Sequence, residues 1–410
     1  MRVADYIATR LADAGLSEVF MVTGGAAMHL NDAFGREERL NVRPMHHEQT
    51  CAMAAEAYAR ISKKPAIVNV TAGPGGINAL NGVFGAYVDS IPMLVVSGQA
   101  KRETIVSSYS DPELRQLGDQ EVDIVAMARK ITKHSVLITD PNDIREQLEL
   151  ALHLATEGRH GPCWLDVPID VQASEIEPTQ LRPYRPVTKS ANQQKDITGH
   201  VTKLLAQLQK SHRPLIYIGS GVRSSGCEQR LIGFAETYGI PIVTAWNNND
   251  LLWDSHPLYV GRPGTVGNRA GNFAVQCCDV LLVLGCRLNI RLISYNWKAF
   301  ADQAWFCHVD IDRHELNKPT LNQDLKIEAD LNEFLDILEP LAELQLNSNK
   351  RNSTWELWTA WGRNLLARYP AIDSKQILLE SSTAPVNPYH FVSTLFSCLL
   401  EDDIVTFADG

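Results

Sequence analysis

The stretch "MHHEQTCAMAAEAYAR", residues 45–60, sets one carboxylate, Glu48, directly behind His46 and His47 at the head of an alanine-rich helical pattern. Ala52, Ala54, Ala55, Ala57 and Ala59 make that helix slim enough to pack closely on its neighbours. A carboxylate entering so crowded an element is expected to be desolvated, which is costly unless a partner receives it. From the residues alone two roles are open. Glu48 can balance the helix N-terminus, or it can ligate a metal together with His46 and His47.

Three Gly-rich stretches are the other chemistry-bearing features. "TAGPGGINALNG", residues 71–82, follows a strand pattern and opens a helical one. "IGSGVRSSG", residues 218–226, repeats that arrangement, and "GRPGTVGNRAGN", residues 261–272, adds two arginines. Such turns let a ligand approach the main chain and aim N–H groups outward, although each can equally be a tight strand-to-helix turn. Residues 218–226 lack the G-x-G-x-x-G spacing, so a dinucleotide fingerprint is not supported.

These residues need strands and helices to hold them. "EVFMVTGG", "PAIVNVT", "IPMLVVSG" and "PCWLDVP" read as buried strands, each followed by a turn and a helix. The rhythm resumes with "PLIYIGSG", "IPIVTAW", "CDVLLVLG" and "WFCHVDID". Buried strands alternating with helices predict an α/β protein built from successive doubly wound parallel-sheet domains. The expected organisation is a first domain over 1–173, a proline-containing linker over 174–196 and a central domain over 197–343. A linker and the start of a third α/β domain are expected over 344–410, where Trp355, Trp358, Trp361 and Leu365 suggest an amphipathic helix.

Composition narrows the partners. The 410 residues suit two or three domains. A net charge of −10 and a pI near 5.7 argue against a nucleic-acid groove or an anionic membrane surface. No apolar run approaches the roughly 20 residues that span a bilayer. Asp5, Arg10 and Asp13 interrupt any signal-peptide core, so a cytoplasmic location is expected. The eight cysteines show neither C-x-x-C nor Cys/His ligand spacing and are expected to be buried, reduced thiols.

The order "VFMVTGGA", "MHHEQTCAMAAEAYAR", "TAGPGGINALNGVFGAYVDSIPMLVVSGQ", "DQEVDI", "ITKHS" and "GPCWLDVPIDVQ" resembles the pyrimidine-binding domain of thiamine-diphosphate enzymes. Within those enzymes it resembles the acetolactate synthase large subunit and its relatives. "IGSGV", "GTVGNRAGNFAVQCCDVLLVLGCRLNIR" and "HVDIDRHELNK" resemble that family's central, flavin-binding domain. The resemblance implies that Glu48 contacts N1′ of the coenzyme's aminopyrimidine. A proton shared there favours the imino tautomer, whose exocyclic nitrogen removes the thiazolium C2 proton. Gly24, Gly25, Pro74, Asn78 and Gln99 match positions around the pyrimidine, and Gln120 matches a catalytic Gln near the reacting centre. The family's Phe before that Gln is Asp119 here, and about nine extra residues lie between Arg102 and Gln120. Arg102, Asp119 and Lys133 are therefore expected on the substrate side.

In the central domain Gly219, Gly221, Gly264, Gly267, Arg287, Arg291, Asp310 and Asp312 match positions around FAD. Two basic groups and close-approach glycines suit a diphosphate, and a strand-end Asp suits ribose or ribityl hydroxyls. The family's G-M-H-G is Gly264-Thr265-Val266-Gly267 here, and its R-F-D-D-R is Arg287-Leu288-Asn289-Ile290-Arg291. Relatives hold Mg²⁺ and the diphosphate with a G-D-G motif and a following Asn in a third domain. Asp409-Gly410 corresponds to that domain's first strand, so no metal ligand is assigned among these residues and weak coenzyme binding by this stretch alone is expected.

The resemblance implies an enzyme that decarboxylates pyruvate or a close 2-keto acid and adds the two-carbon carbanion to a carbonyl acceptor. A second 2-keto acid is the expected acceptor; a keto-sugar, simple decarboxylation or oxidation, and a non-catalytic chain are the alternatives. A homodimer or homotetramer is expected, with no nucleic-acid or membrane partner.

Overall fold

The computed structural model describes residues 1–109, 113–186, 197–346, 353–372, 386–403 and 405 of the chain. It forms two compact α/β units, Met1–Gln193 and Gln194–Gly410.

The first unit is a six-stranded sheet of order β2-β1-β3-β4-β6-β5, parallel throughout. Its strands are β1 (Glu18–Met21), β2 (Asn41–Pro44), β3 (Ala66–Val70), β4 (Met93–Gln99), β5 (His134–Leu137) and β6 (Pro162–Pro168). The central strands β3, β4 and β6 are buried along their whole length. That is why they read as unbroken apolar runs instead of alternating ones. Edge strands β2 and β5 were not among the strands read from sequence. Asn41-Val42-Arg43-Pro44 is mostly exposed and His134-Ser135-Val136-Leu137 is half-buried, so neither has an apolar run.

Successive side chains along a strand point to opposite faces. Leu94, Val96, Leu165 and Val167 pack under α1 (Val3–Asp13), α2 (Met28–Arg36), α6 (Ile144–Thr156) and α7 (Ile169–Ala173). Met93, Val95 and Trp164 pack on the other face, under α3 (Glu48–Ser62), α4 (Pro74–Asp89) and α5 (Ile124–Ala128). The alanines of α3 act where they meet α4. A Cβ built on Gly82 would stand 2.6 Å from Ala52 Cβ and 2.8 Å from the Met53 amide nitrogen, so the two helices touch nearly main chain to main chain.

Residues 174–186, expected as linker, instead dock on this unit. Val3 N–H donates to Ser174 O at 3.0 Å, Ile176 N–H donates to Met1 O at 2.9 Å, and Ile176 and Leu181 are buried in the core. Their apolar side chains are few but well placed, which a composition-based linker reading misses. Residues 187–196 lie outside the described residues.

The second unit is a five-stranded parallel sheet of order β11-β10-β9-β7-β8. It comprises β7 (Pro214–Ile218), β8 (Ile242–Thr244), β9 (Val280–Leu284), β10 (Trp305–Asp310) and β11 (Leu325–Glu328). β11 is another edge strand without an unbroken apolar run. Of the cysteines expected to be buried, Cys277 and Cys398 are exposed, and the other six are buried. The helix Ser353–Arg368 belongs to this unit's core: Trp355 and Trp358 are buried, and their indole N–H groups donate to Ser211 O and Pro214 O at 2.9 Å. The strand expected in "DIVTFADG" falls largely on residues 404 and 406–410, outside the described residues.

Candidate active site at the carboxyl ends of the first sheet

In a parallel sheet every loop leaving a strand emerges at the same edge, and ligands bind outside those carboxyl ends. The order β2-β1-β3-β4 therefore sets four loops side by side. They carry Gly24 and Gly25 after β1, Glu48 after β2, the 71–78 turn after β3, and Gln99 at the end of β4.

Glu48 is the first residue of α3. His47 caps that helix, its Nδ1 accepting from Gln49 N–H at 3.2 Å, which gives this histidine a local role without a metal. Glu48 is half-buried instead of enclosed, because the head of α3 stands at the open edge of the sheet. Its Oε2 accepts from Asn78 Nδ2 at 3.0 Å, and among the described residues only Asn78 donates to this carboxylate. A Cβ on Gly75 would stand 3.5 Å from Oε1, so the second oxygen lies against the glycine turn. The result is a carboxylate fixed on one side and open to a ligand on the other.

The turn itself is tightly determined. Gly73 has φ +57° and ψ −116°, and a Cβ there would meet the Gln120 carbonyl oxygen at 2.1 Å. Pro74 occupies the first turn of α4, where its missing N–H costs nothing. Gln120 has φ +56° and an exposed side chain, so its main chain, pressed on Gly73, is what the structure brings to the site. Gly24 lies against Thr71, where a Cβ would fall within 2.4 Å, whereas a Cβ on Gly25 would meet nothing within 4 Å.

Gln99 is 2% exposed and its amide is fully engaged inside the protein. Nε2 donates to Asp166 Oδ2 and to Val122 O, both at 2.9 Å, and Oε1 accepts from Ala100 N–H at 2.9 Å. Asp166 also accepts from Ser97 Oγ at 2.6 Å, and Trp164 Nε1 donates to that hydroxyl at 2.8 Å. Burial pushes the Asp166 carboxyl up to about 7, opposed by its bonds from Ser97 and Gln99. Asp166 is a site residue absent from the sequence-based expectations, although a lone acid inside the apolar run "PCWLDVP" marks it.

The family described as "Thiamine pyrophosphate enzyme, N-terminal TPP binding domain" matches residues 1–127, and "Thiamine pyrophosphate enzyme, central domain" matches residues 201–338. The chain belongs to the thiamine pyrophosphate enzyme family. The probable acetolactate synthase large subunit of Methanocaldococcus jannaschii is 31% identical over 416 residues, covering 98% of this chain and 65% of that protein. The acetolactate synthase large subunit of Corynebacterium glutamicum is 30% identical over 401 residues, covering 95% and 61%. The isozyme 3 large subunit of Escherichia coli K12 is 28% identical over 413 residues. The chain thus spans a little under two thirds of the length of the first two of these relatives.

For a thiamine pyrophosphate enzyme, three residues expected on the substrate side divide. Asp119 is exposed next to Gln120. Arg102 is held by Asp170, its Nε donating to Oδ2 at 2.7 Å, and by Thr139 O at 2.8 Å. Lys133 precedes β5, at the amino edge of the sheet opposite Glu48. Its Nζ donates to Glu157 O at 2.7 Å and Arg159 O at 2.6 Å, and burial lowers its pKa. The structure does not bring Lys133 to the other site residues.

In the central unit the glycines are occupied by the protein's own main chain. Cβ atoms on Gly219 and Gly221 would meet the Gly285 carbonyl oxygen at 2.4 and 2.8 Å, and one on Gly267 would meet Arg262 O at 2.1 Å. Gly264 has φ +127° and lies against Arg291 O. Arg287 and Arg291 follow β9, and Arg291 lies over the Trp246 ring at 5.9 Å. Asp310 ends β10, accepting from Asp312 N–H at 2.9 Å, and Asp312 accepts from His314 N–H at 2.8 Å. All four charged residues stand at the carboxyl edge of this sheet.

Proposed function

We propose that the chain is part of a thiamine-diphosphate-dependent carboligase of the acetolactate synthase type. It would act on pyruvate or a close 2-keto acid and a carbonyl acceptor. The observation that carries this reading is the Glu48 carboxylate, steadied by Asn78 and open beside Gly75 at the sheet's carboxyl edge.

That donor set fits an aminopyrimidine. When bound, thiamine diphosphate supplies an electron sink for the carbanion left by loss of carbon dioxide. Glu48 would hold a proton at the ring nitrogen facing it, and Asn78 would keep the carboxylate aimed there. The Gly73–Gly75 turn leaves the main chain close enough to exclude water from one side.

The apolar rim supports assembly with a second copy. Ile77, Phe84 and Tyr87 on α4 and Met53 on α3 are exposed, on the two helices that begin at Glu48 and Pro74. A homodimer or homotetramer would cover that face and complete the enclosure of Glu48. Mg²⁺ is proposed as the co-bound cation; among the described residues no group of three or more His, Cys, Asp or Glu could hold it.

FAD is proposed for the central unit on the charge of Arg287 and Arg291 and the strand-end acids Asp310 and Asp312. The glycines are accounted for without it. Purified protein is expected to show flavin absorbance in the visible range; colourless protein that gains none on titration with FAD removes this part of the reading.

The overall proposal is tested by mass spectrometry of products from pyruvate and a panel of 2-keto-acid and keto-sugar acceptors, with thiamine diphosphate, Mg²⁺ and FAD present. A carbon–carbon-linked product is expected. Acetaldehyde or hydrogen peroxide alone would replace carboligation by decarboxylation or oxidation.

A further inference from the structure

A line of buried polar groups runs from the middle of the first sheet to its carboxyl edge. It starts at the Trp164 indole and passes through Ser97 and Asp166 to Gln99 and the Val122 carbonyl. The strand period explains its direction: Trp164, Asp166, Ser97 and Gln99 all fall on the face covered by α3, α4 and α5. Val122 lies in the 118–124 segment, which touches the glycine turn at two points. Gln120 O presses on Gly73, and the Ile124 side chain lies where a Gly76 Cβ would come within 3.1 Å of it. The turn is therefore gripped between Glu48 on one side and this segment on the other.

We propose that Asp166 is a positioning residue for the Glu48 site: through Gln99 it holds the 118–124 segment, and with it Gln120, against the Gly73–Asn78 turn. The importance of that turn rests on the carboligase reading, but the hold itself is independent of any coenzyme. Asp166 is 1% exposed and has no cationic partner among the described residues. β4 presents Ser97 and Gln99 to it, β5 presents Leu137 in register, and the charged group acting on it is Asp123, which caps α5. With Val122 O bonded to Gln99 and Asp123 acting on the carboxyl, the 118–124 segment is, on this proposal, the cover over the buried acid. Lifting it admits water to the carboxyl and lowers the cost of ionisation.

The carboxyl of the closed form is raised to about 7, so closure is favoured while Asp166 is protonated and weakened as pH rises toward that value. Opening of the segment should increase about tenfold between roughly pH 6 and 8, beyond the intrinsic chemical dependence of exchange.

Amide hydrogen exchange of the full chain without coenzyme or substrate tests this, with α6 as internal reference. Wild type should show the excess pH dependence at 118–124, and Asp166→Asn, neutral at every pH, should abolish it. Gln99→Met, which cuts the bond to Val122 O, should raise exchange there roughly fivefold to tenfold at every pH while α6 is unchanged. Should Asp166→Asn not fold, wild type and Gln99→Met decide the matter. Equal exchange at 118–124 in Gln99→Met and wild type, or a wild-type profile with no excess pH dependence, overturns the proposal. An active Glu48→Gln enzyme would overturn the carboligase reading and leave this result in place.

Discussion

Glu48→Gln should leave the protein folded and reduce kcat for product formation from pyruvate by about 10²-fold to 10⁴-fold, the range expected when a positioned proton-transfer group is lost. Glutamine has the size of glutamate, and its carbonyl oxygen can still accept from Asn78 Nδ2, the 3.0 Å bond that orients the native carboxylate. What disappears is the negative charge beside Gly75, and with it the capacity to share a proton with a ring nitrogen. Stability should fall only by about 0.3–1 kcal/mol, because an acid at the first position of α3 favours the helix dipole. Steady-state kinetics and a thermal melt of the intact protein, with coenzyme and Mg²⁺ in excess, separate the two effects. Turnover within a few-fold of wild type would dismiss Glu48 from the chemistry, whatever the melt showed.

Gly73→Ala should act through structure instead of charge. At φ +57° and ψ −116° an L side chain is strained, and residues held in such regions cost about 1–3 kcal/mol. The added methyl also meets the Gln120 carbonyl oxygen at 2.1 Å, an atom of main chain that cannot rotate away. Relief requires the 118–124 segment to lift from the turn. The melting temperature should fall by several degrees, about 2–4 °C for each kcal/mol in a unit of this size. Exchange at 118–124 should rise more than exchange in α6. An unshifted melt together with unchanged local exchange would mean that the turn has another conformation in solution.

The long apolar strands were legible because a sheet covered on both faces demands apolar residues without interruption. β3, β4, β6 and β9 satisfy that demand, and their order along the chain gave the two-sheet α/β architecture. β2, β5 and β11 were not legible, since an edge strand keeps polar residues such as Asn41, Arg43 and His134 wherever it meets solvent. Trp355 and Trp358 showed a helix from their spacing, but their destination in the central unit depends on Ser211 and Pro214, each 144 positions away.

The site divides along the same line. Parallel topology sends every loop after a strand to one edge, so once β1 and β3 are read, Gly24, Gly25, Pro74 and Asn78 must meet there, whereas Glu48 joins them through β2, an edge strand that only the structure shows. The sequence by itself determined the meeting of those four, together with the resemblance that names the family. Only the tertiary structure decided how each side chain is spent. Gln99 is turned inward onto Asp166 and Val122 O, Arg102 is bound to Asp170, and Lys133 is satisfied by two carbonyls at the far edge of the sheet. Strand and helix periods follow from near neighbours along the chain. A hydrogen-bond partner 67 positions away, as Asp166 is for Gln99, exists only after the sheet has closed its register.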